Sequence, residues 1–189
     1  MPIHRRPTPA EIAAAVGKTL PDLIAPNLKL LFCGINPGLY TAAIGHHFGR
    51  PGNRFWPALY ASWFTNRLLS PYEEHELLPL GYGMTNIVAR ATARADELTE
   101  DELRQGARIL ERKVRRYRPR FVAFLGITAY RTAFQRPKAA LGLLQSESLA
   151  GAKIWLLPSP SGLNAHHSPA SLARLFGELR QAVERFGAK

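Results

Sequence analysis

The sequence contains little cysteine and no hydrophobic run long enough to cross a membrane. One cysteine among 189 residues excludes an internal disulfide framework and leaves no cysteine cluster for zinc. The N-terminus lacks the charged-then-apolar pattern of a signal peptide. With no repeat, no low-complexity tract and 46% hydrophobic residues, the composition is typical of one globular domain with a full core. We therefore expect a cytoplasmic protein with no membrane partner.

Acidic residues are scarce relative to basic ones. Lysine and arginine number 25 against 14 aspartate and glutamate residues, giving a formal net charge of +11 and a pI of about 10.4. This excess favours a polyanionic partner, nucleic acid first, and the predominance of arginine suits phosphate contacts. The basic side chains of a helix predicted over 99–117 either contact such a partner or lie in solvent.

The most informative stretch is an apolar run that ends at Gly34 and is followed by Ile35, Asn36, Pro37 and Gly38. It predicts a strand that ends in a rigid turn, in which the glycines supply backbone angles that other residues avoid and the proline fixes one angle. Ligands of α/β proteins bind beyond the carboxyl ends of strands. Asn36 is the first polar side chain after this strand and is therefore the best catalytic candidate. The alternative is an asparagine that only serves the turn.

The order of apolar patterns predicts alternating strands and helices. Predicted strands cover 30–34, 81–88, 121–126 and 154–157, predicted helices cover 9–16, 53–64, 71–78, 99–117, 128–135 and 168–186, and loops cover 39–54 and 136–151. This alternation favours a single α/β domain at 27–187, with a largely parallel sheet and helices on both faces, preceded by an arm and helix at 1–26. The polar turns after the strands are expected to converge on one edge of the sheet.

Several side chains in this framework have two interpretations. Phe48, in a glycine-rich loop, either stacks on a flat ligand such as a base or plugs the core. Asn86 either faces the ligand site or satisfies a turn. His46 and His47 are adjacent, but no carboxylate cluster accompanies them, so we expect no metal. Cys33 lies within an apolar strand and is interpreted as a small core residue rather than a nucleophile.

Three stretches, in this order, resemble the mismatch-specific uracil/thymine DNA glycosylases of the uracil-DNA glycosylase superfamily. They are Gly-Ile-Asn-Pro-Gly at 34–38, Pro-Gly-Asn-Arg-Phe-Trp at 51–56 and Pro-Ser-Pro-Ser-Gly-Leu at 158–163. The resemblance covers nearly the whole chain and implies a three-layer α/β/α sandwich around a four-stranded, mostly parallel sheet. It also implies a monofunctional enzyme that removes uracil or thymine mispaired with guanine from double-stranded DNA, with ethenocytosine as another substrate of the class. Such an enzyme uses no metal or cofactor, and we expect a monomer associated with the nucleoid through DNA.

The resemblance implies roles for individual residues. By position, Asn36 matches the residue that places the attacking water, and Phe48 matches the aromatic that stacks on the flipped base. Further residues fall into three groups, which are the base pocket (Ile35, Thr41 and Asn86), the wedge that fills the gap left in the duplex (Gly162, Leu163 and Asn164) and the supporting motif (Gly34, Pro37, Gly38, Ser159 and Ser161).

The third motif departs from that of the bacterial branch, which reads Asn-Pro-Ser-Gly-Leu-Ser-Arg. Ser159, Asn164 and Ala165 replace its first Asn, its later Ser and its Arg, which changes the expected contact with the opposite guanine. The stretches 45–48 and 85–90 are closer to the vertebrate-type thymine-DNA glycosylases. The preferred base therefore stays open.

Two other functions remain open on the residues alone. A nucleotide- or phosphate-binding α/β protein would use the 34–38 turn as an anion cradle, although no Gly-x-Gly-x-x-Gly or Gly-Lys-Ser/Thr pattern follows the strand. A non-catalytic DNA-binding module would also carry excess positive charge, although no recognition-helix motif stands out. Because no carboxylate lies in the three motifs, a glycosylase of this kind would depend on positioning rather than on a strong general base.

Overall fold

The computed structural model describes residues 5–187, and a five-stranded sheet forms its centre. Residues 1–4 of the predicted N-terminal arm lie outside the described range. The strands are β1 Leu30–Gly34, β2 Tyr82–Asn86, β3 Phe121–Leu125, β4 Gly142–Leu149 and β5 Ala152–Leu157. Their order across the sheet is β2-β1-β3-β5-β4.

Four of the strands run parallel to one another. β1 pairs in parallel with β2 and β3, and β3 pairs in parallel with β5. The residues of β1 and β3 are buried throughout, as expected of apolar strands covered on both faces. The parallel arrangement places the carboxyl ends of all four strands at one edge of the sheet.

The expected strand number of four is wrong, because β4 forms a fifth, antiparallel strand at the edge of the sheet. It lies inside the segment 136–151 that was predicted as a loop. β4 joins β5 through Ala150 and Gly151, which have φ angles of 47° and 91° and so match the tight hairpin turn that favours positive φ. An edge strand leaves part of its surface in solvent, so its polar composition resembles that of a loop.

Helices cover both faces of the sheet. They are α1 Pro9–Ala13, α2 Leu39–Ile44, α3 Phe55–Ala61, α4 Glu100–Tyr117, α5 Ile127–Ala133 and α6 Pro169–Gly187, with 3₁₀ turns at Pro71–Leu77 and Ala95–Glu97. α3 and α6 share one apolar cluster with the sheet, while α4 and α5 share the other. On the first face the ring of Phe32 lies 5.2 Å from that of Phe55 and 6.2 Å from that of Phe176. The predicted α/β fold with helices on both faces is confirmed.

Helix ends follow local sequence signals where those signals are strong. The predicted helix over 99–117 is confirmed, and Thr99 and Glu102 form the reciprocal capping box at its start. α2 was missed, because it occupies the first part of the segment predicted as a loop over 39–54. It ends at Gly45, whose φ of 75° gives the left-handed cap that glycine favours. The predicted helix over 71–78 is a 3₁₀ turn.

The segment before β1 packs on the sheet. Leu23 exchanges backbone hydrogen bonds with Met84, at 2.9 and 2.7 Å, and its side chain is buried. Asp22 accepts a hydrogen bond from Thr85 at 2.6 Å and pairs with Lys113 at 2.5 Å.

The domain boundary at residue 27 stays a prediction. Within residues 5–187 no helix has both the length and the apolar character needed to cross a membrane.

Candidate active site

A cavity of about 580 Å³ opens at the carboxyl edge of the parallel strands. Its walls come from the segments that follow β1, β2 and β5, together with the end of β3. The predicted convergence of the polar turns is therefore confirmed. The predicted site residues that line the cavity are Gly34, Ile35, Asn36, Pro37, Gly38, Thr41, Phe48, Asn86, Ser159, Ser161, Leu163 and Asn164.

The Asn36 side chain is held through its amide nitrogen. Nδ2 donates to the carbonyl oxygen of Arg90 at 3.1 Å and to the hydroxyl of Thr92 at 2.7 Å. The Thr92 hydroxyl in turn donates to the carbonyl of Arg94 at 2.7 Å, so it can only accept from Asn36. Both amide hydrogens are used, and Oδ1 accepts no hydrogen bond from any described residue. Oδ1 is therefore available to accept a hydrogen bond from a water molecule or ligand in the cavity.

The Phe48 side chain both packs against the core and faces the cavity, which are the two positions that the sequence offered as alternatives. Its ring stacks on buried Phe55, with the centroids 4.0 Å apart and the planes at 22°, and it also lines the cavity. Its φ of 52° is unusual for a residue with a side chain, and such conformations persist where the surrounding structure imposes them. Part of that support comes from Thr41, whose hydroxyl accepts a hydrogen bond from the Gly49 N–H at 3.1 Å. The ring is thus positioned before any ligand binds.

Position 34 requires a glycine because a larger side chain would clash with its neighbours, and not because of its backbone angle. A Cβ added at Gly34 would lie 2.5 Å from Oδ1 of Asn86 and 3.5 Å from the Phe48 ring. Gly34 and Gly38 do not have positive φ angles, and Gly38, the N-cap of α2, has an ordinary φ of −74°. The expectation that both supply unusual backbone angles is therefore wrong. Gly34 instead leaves the space at the cavity wall that the side chains of Asn86 and Phe48 occupy.

A buried carboxylate holds the two histidines that precede Phe48. Glu74 accepts hydrogen bonds from Nδ1 of His46 at 2.9 Å, and from the backbone N–H and Nδ1 of His47 at 2.8 and 3.0 Å. Burial alone would raise the pKa of Glu74, but the hydrogen bonds from His47 and His46 together lower the pKa below its ordinary value. Glu74 lies 27 residues after His47, which is why the sequence shows no carboxylate beside the histidine pair.

Glu74→Gln should destabilise the protein by roughly 1–3 kcal/mol at neutral pH, because the amide replaces one of the two acceptor oxygens with an NH₂ donor and so leaves a histidine N–H without its acceptor. A carboxyl group whose pKa is lowered by folding contributes stability above its ordinary pKa and loses it as the pH falls through the folded-state value. The difference in melting temperature between the wild type and Glu74→Gln should therefore shrink in acid. The control is Glu76→Gln, which alters an exposed carboxylate of the same 3₁₀ turn. A difference that is constant across this pH range would show that the charge of Glu74 does not hold the histidines.

The loop between β5 and α6 (158–168, the β5–α6 loop) is organised by its own polar side chains. Asn164 Nδ2 donates to the Ser159 carbonyl at 2.9 Å, and Asn164 Oδ1 accepts from the His166 N–H at 3.1 Å. The Ser159 hydroxyl accepts from the Ser161 N–H at 3.3 Å. Two of the residues that depart from the bacterial motif, Ser159 and Asn164, thus hold this loop. Leu163 at its tip is 72% exposed, so it does not pack under the loop.

Gly162 does not line the cavity. A Cβ at this position would lie 2.6 Å from the carbonyl oxygen of Gly52, so glycine permits close contact between the β5–α6 loop and the segment before α3. The backbone N–H of Arg54 also donates to the carbonyl of Pro160, at 2.9 Å. The motifs at 51–56 and 158–163, which are distant in sequence, therefore form one unit.

The sequence analysis assigned no role to Arg54, although it lies within the motif at 51–56, or to Glu74, Thr92 and Asp96. The first three act through contacts with distant segments. Asp96 lies in the short 3₁₀ turn Ala95–Glu97. The Asp96 carboxylate lines the cavity, but it is exposed and pairs with Arg94 at 2.5 Å. It is a group at the rim rather than a buried base.

Between residues 5 and 187 no group of three histidine, cysteine or acidic side chains lies close enough to hold a metal ion. Cys33 is buried, which raises the pKa of its thiol and confirms the interpretation of a core residue.

Comparison with known proteins agrees with this geometry. The fold is similar to the solution NMR structure of a "putative Uracil DNA glycosylase" from Methanosarcina acetivorans, with a TM-score of 0.59 and 18% sequence identity over 87% of this chain and 99% of that chain. At this identity the similarity shows the fold alone. A sequence model of the uracil DNA glycosylase superfamily matches residues 21–181. Since that match covers most of the chain, the protein belongs to the uracil DNA glycosylase superfamily.

Proposed function

We propose that this protein is a monofunctional DNA glycosylase that hydrolyses the bond between deoxyribose and a uracil or thymine mispaired with guanine. Ethenocytosine is a further candidate substrate, and the product is an abasic site for base excision repair. Membership of the superfamily supports the glycosylase activity. The observation that carries the proposal is the arrangement of one cavity, in which the free carbonyl oxygen of Asn36 and the preset ring of Phe48 occur together.

Access to the base requires that it leave the helical stack. Extrusion of a nucleotide costs a few kcal/mol, and less for a mismatched base, which is one source of selectivity for G·U and G·T pairs. Leu163 is apolar and exposed at the rim of the cavity, and apolar side chains of this kind fill the gap in a duplex. Phe48 then offers the flipped base a stacking surface worth about 1–3 kcal/mol. The amide of Asn86 provides a neutral hydrogen-bonding group at the cavity wall.

Cleavage of the glycosidic bond develops positive charge on the sugar and negative charge on the base. Asn36 is neutral and does not act as a strong base, so its contribution is to accept a hydrogen bond from water and orient the water oxygen toward C1′. The base leaves with the electron pair of the broken bond, the water oxygen adds to C1′ and loses one proton to become the hydroxyl of the abasic sugar, and the base anion takes up one proton in its place. Backbone N–H groups directed at the base oxygens would stabilise the leaving anion. Turnover should be slow compared with relatives that carry an aspartate at this position.

A labelled duplex with one G·U pair tests the proposal. The duplex is incubated with the protein, and abasic sites are then cleaved with alkali. Strand cleavage supports a glycosylase, and retention of DNA without cleavage would indicate a binding module. Nucleotide binding without either would indicate a nucleotide-binding protein. A parallel series with thymine and ethenocytosine opposite guanine measures the preferred base.

Binding of this protein to duplex DNA should weaken steeply with salt. Each phosphate that a basic side chain neutralises contributes roughly −0.9 to the slope of log K against log salt concentration. Several basic side chains of α4 are already paired, among them Arg104, Arg115 and Lys113. Arg50 is exposed at the cavity and forms no ion pair with any residue in the described range. The formal net charge of +11 leaves basic side chains in excess of these pairs, so the logarithm of the affinity should fall with log salt concentration with a slope of several units, whereas a flat dependence would argue against DNA as the partner.

A further inference from the structure

The β5–α6 loop carries Leu163 but contains no helix or strand. An arginine from another part of the chain holds it. Arg54 Nη2 donates to the carbonyl oxygens of Ser161 and Asn164, at 2.7 Å each, and Nη1 donates to the carbonyl of His167 at 2.5 Å. These three carbonyls bracket Leu163 in sequence, so one guanidinium determines the path of the loop on both sides of it.

The guanidinium of Arg54 contacts backbone carbonyls rather than a carboxylate. None of the acidic residues that the structure describes pairs with Arg54, and its Nε is buried without a partner. Taking a charged group partly out of water is unfavourable unless its hydrogen bonds are well made. The planar fork of arginine can reach several carbonyls at fixed angles, whereas lysine is a single flexible point charge. The role of Arg54 is therefore geometric.

We infer that Arg54 is a positioning residue, which holds the β5–α6 loop so that Leu163 is presented to the duplex in a preset conformation. This inference rests on the proposed function, because Leu163 enters DNA only if the protein flips a base. Preorganisation lowers the cost of ordering the loop at the moment of binding. Arg54 thus acts through Leu163 and has no contact with the reacting atoms.

The test is a double-mutant cycle on a G·U duplex under single-turnover conditions. Arg54→Lys keeps the charge and removes the planar fork of donors, and it should slow excision by about tenfold. A factor of ten corresponds to about 1.4 kcal/mol, which is part of the few kcal/mol that base flipping costs. In a Leu163→Ala background the same substitution should reduce the excision rate little further, because the effects of substitutions at residues that act through one another are not additive. Uracil in single-stranded DNA needs no wedge, so its excision should be nearly unchanged.

Arg112→Lys is the matched control, because it makes the same substitution as Arg54→Lys at another position. Arg112 is exposed on α4 and its side chain forms no hydrogen bond with any described residue, so this variant exchanges a guanidinium for an ammonium without touching the loop. It should leave excision from both substrates nearly unchanged. If Arg54→Lys slows duplex and single-strand excision equally, or if its effect multiplies fully with that of Leu163→Ala, the inference is wrong.

Hydrogen exchange tests the loop without activity. The N–H groups of Ser161, Leu163, Asn164 and His166 are hydrogen-bonded within the loop. In Arg54→Lys and Arg54→Met these amides should exchange faster, while those of β5 stay protected. Unchanged exchange in the loop would overturn the inference even in an active enzyme. A wild type that excises no base would instead contradict the proposed function, and the exchange rates would still decide whether Arg54 holds the loop.

Discussion

Asn36→Ala should lower the single-turnover rate constant of base excision by on the order of 10²-fold or more, because small misplacements of a reacting group cost that much. The substitution removes the only side chain at this turn whose carbonyl oxygen is free to orient water. Asn36 is half-buried and makes its contacts through Nδ2, so binding of mismatched duplex should change only a few-fold. Rapid mixing with a labelled G·U duplex, together with a binding titration, separates the two effects.

Thr92→Val is the matched control for the orientation of Asn36. Valine has nearly the shape of threonine but lacks the hydroxyl that accepts from Nδ2, so Asn36 would keep only its contact with the Arg90 carbonyl. Excision should fall less than in Asn36→Ala. Excision by Asn36→Ala at the wild-type rate would remove Asn36 from the mechanism. Equal excision by Thr92→Val and the wild type would show that Arg90 alone orients the amide.

Leu163→Ala should slow excision from a G·U duplex by roughly 10- to 100-fold. A side chain that fills the vacated space offsets part of the few kcal/mol that flipping costs, and about 1.4 kcal/mol corresponds to a factor of 10. Because Leu163 is 72% exposed, the free energy of unfolding should hardly change. Affinity for the mismatched duplex should fall, and single-turnover assays with thermal denaturation measure both quantities.

Single-stranded substrate provides the contrast for Leu163. Its bases are unpaired and no duplex gap has to be filled, so whatever activity the protein has on uracil in a single strand should be little altered by Leu163→Ala. A loss of the roughly 2–5 kcal/mol of stability that is typical of a buried leucine would instead identify a core residue. An equal loss of rate on both substrates would also contradict a role in the duplex.

The sequence by itself determined the fold class and the edge of the sheet at which the site forms. Continuous apolar runs in β1 and β3 predict buried parallel strands, and their carboxyl ends necessarily meet. Asn36, directly after β1, could therefore be placed at this edge from the residues alone, whereas Phe48 and Asn86 kept two interpretations and were assigned to the base pocket only by the family resemblance. These signals are local: a few adjacent residues are enough to produce them.

The remaining features were decided by contacts between distant segments, which no local pattern contains. β4 resembles a loop because an edge strand exposes polar residues, and it becomes a strand only by pairing with β5. Asn36 is oriented by Thr92, 56 residues away, and the β5–α6 loop is held by Arg54, 107 residues from Ser161. A hydrogen bond of this kind depends on where the folded chain brings its donor and acceptor, so the sequence could name the groups of the site but only the tertiary structure set their directions.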